Sequence, residues 1–411
     1  MKLVIFVFAH PDRMTEFFKS VSKVFFVLAA TCLMLPVAAV SAVAGGDTSA
    51  FTSKAPRAVL MDAGTGAILF QQKADELAPP ASMSKLMTLA VLFKAIKSGQ
   101  IKTSDEFVMS VNAWRKGGAP SGTSAMMVPV NTKSRVDELI QGIAVQSGND
   151  ACIAIAEGMS GNEAAFAKAM TEEARRIGLT KSTFVNATGL YAPNHLMTAR
   201  ELAILARHLI LEYPDQYAVF GQKEFLYRKH KFYNRNPLLF LSIGVDGLKT
   251  GHIQEAGFGL VASAVQDGKR LIVVVAGSEN AEQRKDEAVK LLEWGFKSFS
   301  QVKIFDDGEI VGQARVWGGS SMYVPLAGKG DVTIQLPKYP ANQRLSAEII
   351  YKAPLKPPVK KGDAVALLRV TSTSSAMTEI PLYATEDIEQ GGIVRQGFDS
   401  LMLMALRRLA L

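Results

Sequence analysis

Residues 245–276 read VDGLKTGHIQEAGFGLVASAVQDGKRLIVVVA. Two apolar, strand-like runs, Gly257–Ala264 and Arg270–Ala276, flank Asp267-Gly268. An Asp-Gly pair between such runs signals a tight hairpin, because both central residues of that turn take positive φ. The stretch therefore predicts two neighbouring antiparallel strands. Far upstream, Ala58–Gln72 (AVLMDAGTGAILFQQ) repeats the arrangement, with apolar runs on either side of DAGTG.

Between these hairpins the period is helical. Ala81–Lys97 predicts a helix that stops at Gly99. Ser134–Val145, Asp150–Gly158, Glu163–Ile177 and Thr198–Leu211 predict four more, and Lys285–Phe299 closes the set. Strands, helices, strands and one last helix predict an α+β domain, an antiparallel sheet covered by helices, over residues 48–299. Composition shifts at Ser300. The runs MYVPL, VTIQL, LSAEIIY, AVALLRV and TEIPLY, separated by Gly, Pro and Lys, predict a small all-β domain, a sandwich or barrel, over residues 300–388. No grouping of residues within it suggests catalysis.

The ends carry other signals. Lys19 and Lys23 precede the apolar run Val24–Val37, and Ala42-Val43-Ala44 follows. That is the order of an export signal, residues 1–44, with Met14 as a plausible true start. A retained anchor is the alternative, although the run is short for a bilayer span. At the other end, residues 392–411 place Val394, Phe398, Leu401, Met402, Ala405 and Leu409 on one helical face. Three arginines and Asp399 argue against a span and for an amphipathic helix lying at a membrane surface. Packing of that face on the β domain is the competing reading.

Bulk properties exclude several classes. The 411 residues carry a net charge of +8. Loss of 1–44 removes Lys2, Arg13, Lys19 and Lys23 with Asp12 and Glu16, leaving +6. A mildly basic chain suits an anionic envelope surface, and no Lys/Arg block suggests nucleic acid. Of the two cysteines, Cys32 lies in the signal, so Cys152 has no internal partner; it opens an apolar run and is expected in the core. His10, His195, His208, His230 and His252 are scattered, without H-E-x-x-H, so neither a catalytic zinc nor any other cofactor is expected. A nucleophile elbow of the G-x-S-x-G type is absent.

The chemistry concentrates in three short motifs. In PPASMSKLMT (79–88), Ser82 and Lys85 are three residues apart and share a helix face, while Ser84 points elsewhere. A serine hydroxyl needs a base to become a nucleophile, and a lysine serves if burial or another cation lowers its pKa. Helix capping explains Ser82 equally well at this point, and Ser20-Val21-Ser22-Lys23 matches the same spacing inside the signal. Ser147-Gly148-Asn149 joins two apolar helices and offers a second hydroxyl and an amide, or else a helix cap. Lys249-Thr250-Gly251 occurs once and offers a cation, a hydroxyl and a residue without a side chain, a lining for a groove that takes an anionic extended substrate.

S-x-x-K, S-x-N and K-T-G in that order, separated by 65 and 102 residues, resemble the motif set of penicillin-binding proteins and serine β-lactamases. QSGNDACIAIAEG, NATGL (Asn186–Leu190) and VDGLKTGHIQEAGFGLVASA resemble more narrowly the low-molecular-mass penicillin-binding proteins, the serine-type D-alanyl-D-alanine carboxypeptidases, over about residues 50–390. The resemblance implies a β-lactamase/penicillin-binding-protein-like fold. It implies that Ser82 is acylated, that Lys85 is its general base, and that Ser147 and Asn149 complete the proton relay and hold substrate. Lys249 would tune the relay, and Thr250 and Gly251 would bind peptide along the strand edge. Backbone N–H groups of Ser82 and His252 would form the oxyanion hole, and Arg270 would read the terminal carboxylate. The implied substrate is the peptidoglycan stem pentapeptide, with β-lactam antibiotics as mimics and a peripheral place on the extracytoplasmic face of the bacterial cytoplasmic membrane. Peptidoglycan maturation and cell shape are the implied roles. A β-lactamase is disfavoured: E-x-x-L-N is absent between Asn149 and Lys249, the second motif is SGN, and a β domain follows. A non-catalytic wall-binding paralogue is disfavoured by the three intact motifs.

Overall fold

The structure, a computed structural model, describes residues 4–9, 51–338, 343–372, 378–397 and 399–401. The chain divides into two compact units, Phe51–Lys297 and Ser298–Leu411 with Met1–Ala50. The first strand, β1 (Val4–Ala9), belongs to the latter.

Unit Phe51–Lys297 begins with β2 (Arg57–Asp62) and β3 (Ile68–Gln72). Helices α1 (Lys85–Lys97), α2 (Val111–Gly117), α3 (Val136–Gln141), α4 (Asn149–Ser160), α5 (Glu163–Ile177), α6 (Ala199–Glu212) and the short α7 (Pro214–Tyr217) follow. Two small hairpins accompany them, β4 (Glu106–Val108) with β5 (Lys133–Arg135) and β6 (Glu224–Tyr227) with β7 (His230–Tyr233). Then come β8 (Val245–Ile253), β9 (Gly257–Gln266), β10 (Lys269–Ser278) and α8 (Ala281–Ser298). The main sheet is antiparallel throughout, in the order β3-β2-β10-β9-β8. Asp267 and Gly268 turn β9 into β10 with φ of 49° and 75°, the conformation that the pair predicts.

Strand alternation divides the core in two. Val59, Met61, Val261, Ile272 and Val274 face the helical layer of α1, α4, α5 and α6. Ala58, Leu60, Leu260, Leu271, Val273 and Val275 face α8. With both faces covered, these strands read as continuous apolar runs rather than as alternating ones.

One helix differs from expectation. Ser134 and Arg135 belong to β5, where the Ser134 hydroxyl meets Tyr227 Oη at 2.5 Å. Helix α3 begins only at Val136; at its start the Arg135 N–H donates to Glu138 Oε2 at 3.1 Å and the Glu138 N–H to Asp137 Oδ1 at 2.8 Å. Beyond Gln141 the chain widens into a π-helical turn, Gly142–Gln146, which releases Ser147 at φ 64°.

The second unit holds β11 (Phe299–Phe305), β12 (Ile310–Arg315), β13 (Tyr323–Ala327), β14 (Val332–Pro337), β15 (Gln343–Ile350), β16 (Ala364–Ser372) and β17 (Thr378–Ala384). All five runs that the sequence marks are strands; β11 and β12 are additional. The sheet β1-β15-β16-β17-β13-β12 and the pair β11-β14 enclose an apolar core that includes Val316, Val324, Leu326, Ile334, Leu368 and Leu382. Strand β1 lies antiparallel on the edge of β15, a pairing that the reading of 1–44 as a signal does not foresee. The rest of that segment lies outside the described residues.

Residues 393–397 and 399–401 are helical. Asp399 is buried, and its carboxylate accepts the Gly318 N–H at 2.8 Å, which anchors the helix to the β unit. Val394 and Leu401, from the predicted apolar face, are 88% and 69% exposed, as is Ile393 at 87%. Phe398 and 402–411 lie outside the described residues. Among the described residues no helix is long and apolar enough to cross a membrane.

Candidate active site

The capping alternative for PPASMSKLMT fails in the structure. Ala81–Ser84 is one 3-10 turn feeding α1, and neither its start at Pro80 nor that of α1 at Ser84 uses a side-chain cap. Instead the Ser82 hydroxyl accepts a hydrogen bond from Lys85 Nζ at 2.9 Å. Lys85 has no exposed surface and lies among Met83, Leu86, Met87 and Leu89, all buried. Its ammonium is held on a second side by the Thr188 carbonyl at 2.5 Å. Burial moves its pKa down from the usual lysine value to about 8, helped by the Arg235 cation.

Two glycines permit this geometry. A Cβ on Gly189 (φ 77°) would stand 2.0 Å from the Ala81 carbonyl oxygen and 2.6 Å from Ser84 Oγ. The NATGL loop thus presses against the Ser82 turn, and Asn186 Oδ1 ties it together by accepting the N–H groups of Thr188 and Gly189. A Cβ on Gly251 would meet the Pro80 carbonyl oxygen at 3.0 Å and Met83 Cγ at 3.1 Å. Gly251 thus lets β8 lie close against the Ser82 turn.

Ser147 and Asn149 follow the π turn. Both are buried, and among the described residues Ser147 Oγ and Asn149 Oδ1 have no hydrogen-bond partner. Such atoms are costly unless a ligand satisfies them. Asn149 Nδ2 donates to Thr123 Oγ1 at 2.9 Å, and its backbone N–H to the Ser124 carbonyl at 2.8 Å. Buried Asp150 supports the same loop by accepting the N–H groups of Met126 and Val128. Cys152, beneath, is in the core as expected; burial pushes its thiol up to about 12, which makes it inert.

On β8, Lys249 is buried and donates to the Thr250 carbonyl at 3.2 Å. Burial moves its pKa well down, followed by repulsion from Lys85 and Arg235. His252 is exposed at the strand end and stacks on Phe258, ring centroids 3.8 Å apart.

Arg270 does not belong to this group. Its guanidinium makes two bonds to Asp246, at 2.8 and 2.7 Å, and one to Ser263 Oγ at 2.8 Å, and it covers the Tyr217 ring. It pairs in register with Val265, whereas Thr250 faces Leu260. Five residues of strand place it roughly 16 Å along the sheet from the motif, so its expected carboxylate-reading role is corrected. Besides Lys85, two further cations near Lys249 are ones that the sequence reading missed. Arg284, on α8, is buried, its Nε has no partner among the described residues, and its guanidinium lies 5.8 Å over the Phe258 ring. Arg235 reaches Ser124 Oγ at 2.6 Å. Neither belongs to a motif; only the register of β8 and β9 and the start of α8 bring them in.

Comparison with known proteins agrees with this arrangement. The profile of the family described as D-alanyl-D-alanine carboxypeptidase matches residues 45–280. That of the penicillin-binding protein 5 C-terminal domain matches residues 299–390. The D-alanyl-D-alanine carboxypeptidase DacC of Escherichia coli (strain K12) is 37% identical over 348 residues, 84% of this chain and 87% of its own length. DacF of Bacillus subtilis (strain 168) is 32% identical over 355 residues, 85% of this chain and 90% of its own. Among solved structures, penicillin binding protein 5 from Haemophilus influenzae superposes with a TM-score of 0.72 at 34% identity, covering 84% of this chain and all of that one. Penicillin-Binding Protein D2 from Listeria monocytogenes in the ampicillin-bound form superposes at 0.53 with 28% identity, covering 61% of this chain and all of that one.

Proposed function

Because the chain belongs to the D-alanyl-D-alanine carboxypeptidase family, we propose that Ser82 is its acylated nucleophile and Lys85 the base that activates it. The protein is a serine-type D-alanyl-D-alanine carboxypeptidase with a penicillin-binding-protein fold. It removes the terminal D-alanine from peptidoglycan stem pentapeptides.

The observation that carries the residue assignment is the 2.9 Å contact between Lys85 Nζ and Ser82 Oγ in a buried setting that holds the lysine near pKa 8. In its neutral form Lys85 takes the Ser82 proton as Oγ attacks the carbonyl of the penultimate D-alanine. The scissile C–N bond breaks, and the leaving D-alanine amine receives a proton passed through Lys85 and Ser147. Water then attacks the Ser82 ester, giving up its proton along the same path and releasing the shortened peptide. Asn149 and Thr250 hold the peptide, Gly251 keeps the strand close, and the N–H groups of Ser82 and His252 receive the developing oxyanion. Lys249 tunes the relay electrostatically, and the Arg235 cation helps burial hold the Lys85 pKa down. Arg284 takes over the carboxylate-reading role; its buried, partly unpaired guanidinium over Phe258 of β9 is the support for this.

In the same reading a β-lactam acylates Ser82 in place of the dipeptide. Residues 48–299 form the catalytic domain and 300–388 an accessory β domain. Segment 1–44 directs export, and the helix at 392–411 holds the protein peripherally on the extracytoplasmic face of the membrane. The deciding experiment incubates the purified chain with a pentapeptide ending in D-Ala-D-Ala. Tetrapeptide and free D-alanine are expected, with both this release and penicillin labelling absent from Ser82→Ala. Persistent labelling of that variant sinks the assignment.

A further inference from the structure

The β6–β7 hairpin has two unlike faces. Inward, Phe225, Tyr227 and Phe232 stack on one another, and the Ser134–Tyr227 bond fixes them to β5. Outward, the register pairs Glu224 with Tyr233 and Leu226 with Lys231. On this face Leu226 is 68% and Tyr233 60% exposed, with Lys231 Nζ 5.4 Å above the Tyr233 ring. Beside the hairpin, Phe240 is 52% exposed under the Lys223 ammonium. A single exposed leucine needs no explanation, but a contiguous apolar and aromatic strip does.

The strip is also cationic. Glu224 is the sole acid between 222 and 241, and it is already paired with Lys231 at 2.8 Å. Among the described residues Lys223, Arg228 and Lys229 have no ion pair. The strip leads somewhere. Asn234 donates to the Lys223 carbonyl, which extends the ladder by one pair, and the alternation of buried and exposed residues continues from Tyr233 to Arg235. Arg235 reaches Ser124 and bears on both Lys85 and Lys249. A row of exposed apolar side chains, with cations that have no ion pair among the described residues, thus leads by way of Arg235 toward the catalytic groove.

We propose that the outer face of β6–β7, with Lys223 and Phe240 beside it, binds the polymeric peptidoglycan strand outside the dipeptide subsite. This rests on the reading of the chain as a peptidoglycan carboxypeptidase. A sugar ring presents a flat C–H face to Tyr233 and Leu226, and the carboxylates along the polymer suit Lys223, Arg228 and Lys229. Continuity with the groove makes the second contact intramolecular once a stem peptide is bound, which raises avidity without altering chemistry on a short peptide. A membrane is the poorer occupant, because inserting this face would desolvate the Glu224–Lys231 pair.

The test uses the full chain and two variants, Leu226→Ser/Tyr233→Ala and Lys223→Glu/Lys229→Glu. Co-sedimentation with insoluble peptidoglycan is expected to weaken about tenfold in each, the effect of losing a well-placed aromatic or charged anchor. Meanwhile kcat/KM on a soluble pentapeptide stays at the wild-type value. Unchanged sedimentation in both variants overturns the proposal, as does an equal fall on soluble and polymeric substrate. Loss of binding to anionic phospholipid vesicles with peptidoglycan binding intact also overturns it. If the wild-type chain releases no D-alanine from the soluble peptide, the catalytic reading itself fails; that result is separate from a failure of the surface alone.

Discussion

Lys85 donates to the Ser82 hydroxyl across 2.9 Å while its own surface is entirely withdrawn from solvent. Burial favours the neutral amine, which is the form that accepts a proton. With a pKa of about 8, about one lysine in ten is neutral at pH 7. Acylation by penicillin is therefore expected to accelerate as pH rises through about 8 and to level off above it. Arg235→Ala removes a repelling cation, which raises the Lys85 pKa and moves the midpoint to higher pH. Stopped-flow acylation of the two proteins across the alkaline range checks both statements. A pH-independent rate would remove Lys85 from the role of base.

The Thr188 carbonyl that steadies Lys85 depends on Gly189. Gly189→Ala must place a methyl group where the Ala81 oxygen now stands, at a positive φ that costs an L-residue about 1–2 kcal/mol. The Ser82 turn and the NATGL loop are expected to separate. Melting temperature should fall by several degrees and acylation by at least about tenfold, the scale of a nucleophile and base pulled out of alignment. Gly99→Ala is the control, since Gly99 has φ 76° but open space around it. It should lose stability alone. Equal acylation rates in the two variants would show that the loop does not position Lys85.

Arg284 and Arg270 separate catalysis from stability. Arg284→Ala leaves the groove without the guanidinium beside Phe258, and kcat/KM for the pentapeptide is expected to fall about 10–100-fold, the worth of one charge-assisted pair. Arg270→Ala breaks the bonds to Asp246 and Ser263 far along the sheet. It is expected to cost about 1–2 kcal/mol of stability with kcat/KM unchanged. Denaturant melts and pentapeptide kinetics on both variants decide the matter, and a reversed pattern returns the carboxylate-reading role to Arg270.

The contrast between these two arginines marks what the chain discloses by itself. Ser82, Lys85, Ser147, Asn149, Lys249, Thr250 and Gly251 stand out in the sequence as a candidate site because the chemistry proposed for them requires given residue types within short, ordered motifs. Asp267-Gly268 is legible because positive φ limits the choice of residue. Arg284 is not, because nothing local distinguishes it from any charge in the first turns of a helix; only the packing of α8 beside β9 brings it to Phe258. Arg270 misleads because nearness to a turn in sequence says nothing about position along a sheet, which the register of β8, β9 and β10 determines. The Thr188 carbonyl is a backbone group and carries no signature. The π turn at Gly142–Gln146 is hidden for a related reason: an apolar helical pattern persists through it while the chain widens to present Ser147.

The C-terminal helix presents a further test. Asp399 fixes its first turns by accepting the Gly318 N–H, while Ile393, Val394 and Leu401 stand exposed among the described residues. In the proposed reading, this helix, held through Asp399 and exposing apolar side chains, lies in an interface. Truncation after Gln390 is expected to abolish sedimentation with anionic vesicles while leaving D-alanine release from a soluble pentapeptide intact. Asp399→Ala is expected to keep vesicle binding, since the apolar side chains remain, but to lower the stability of the β unit by about 1–3 kcal/mol through the orphaned Gly318 N–H. Vesicle binding by the truncated chain would locate the membrane contact elsewhere and leave the helix as a packing element of the β unit.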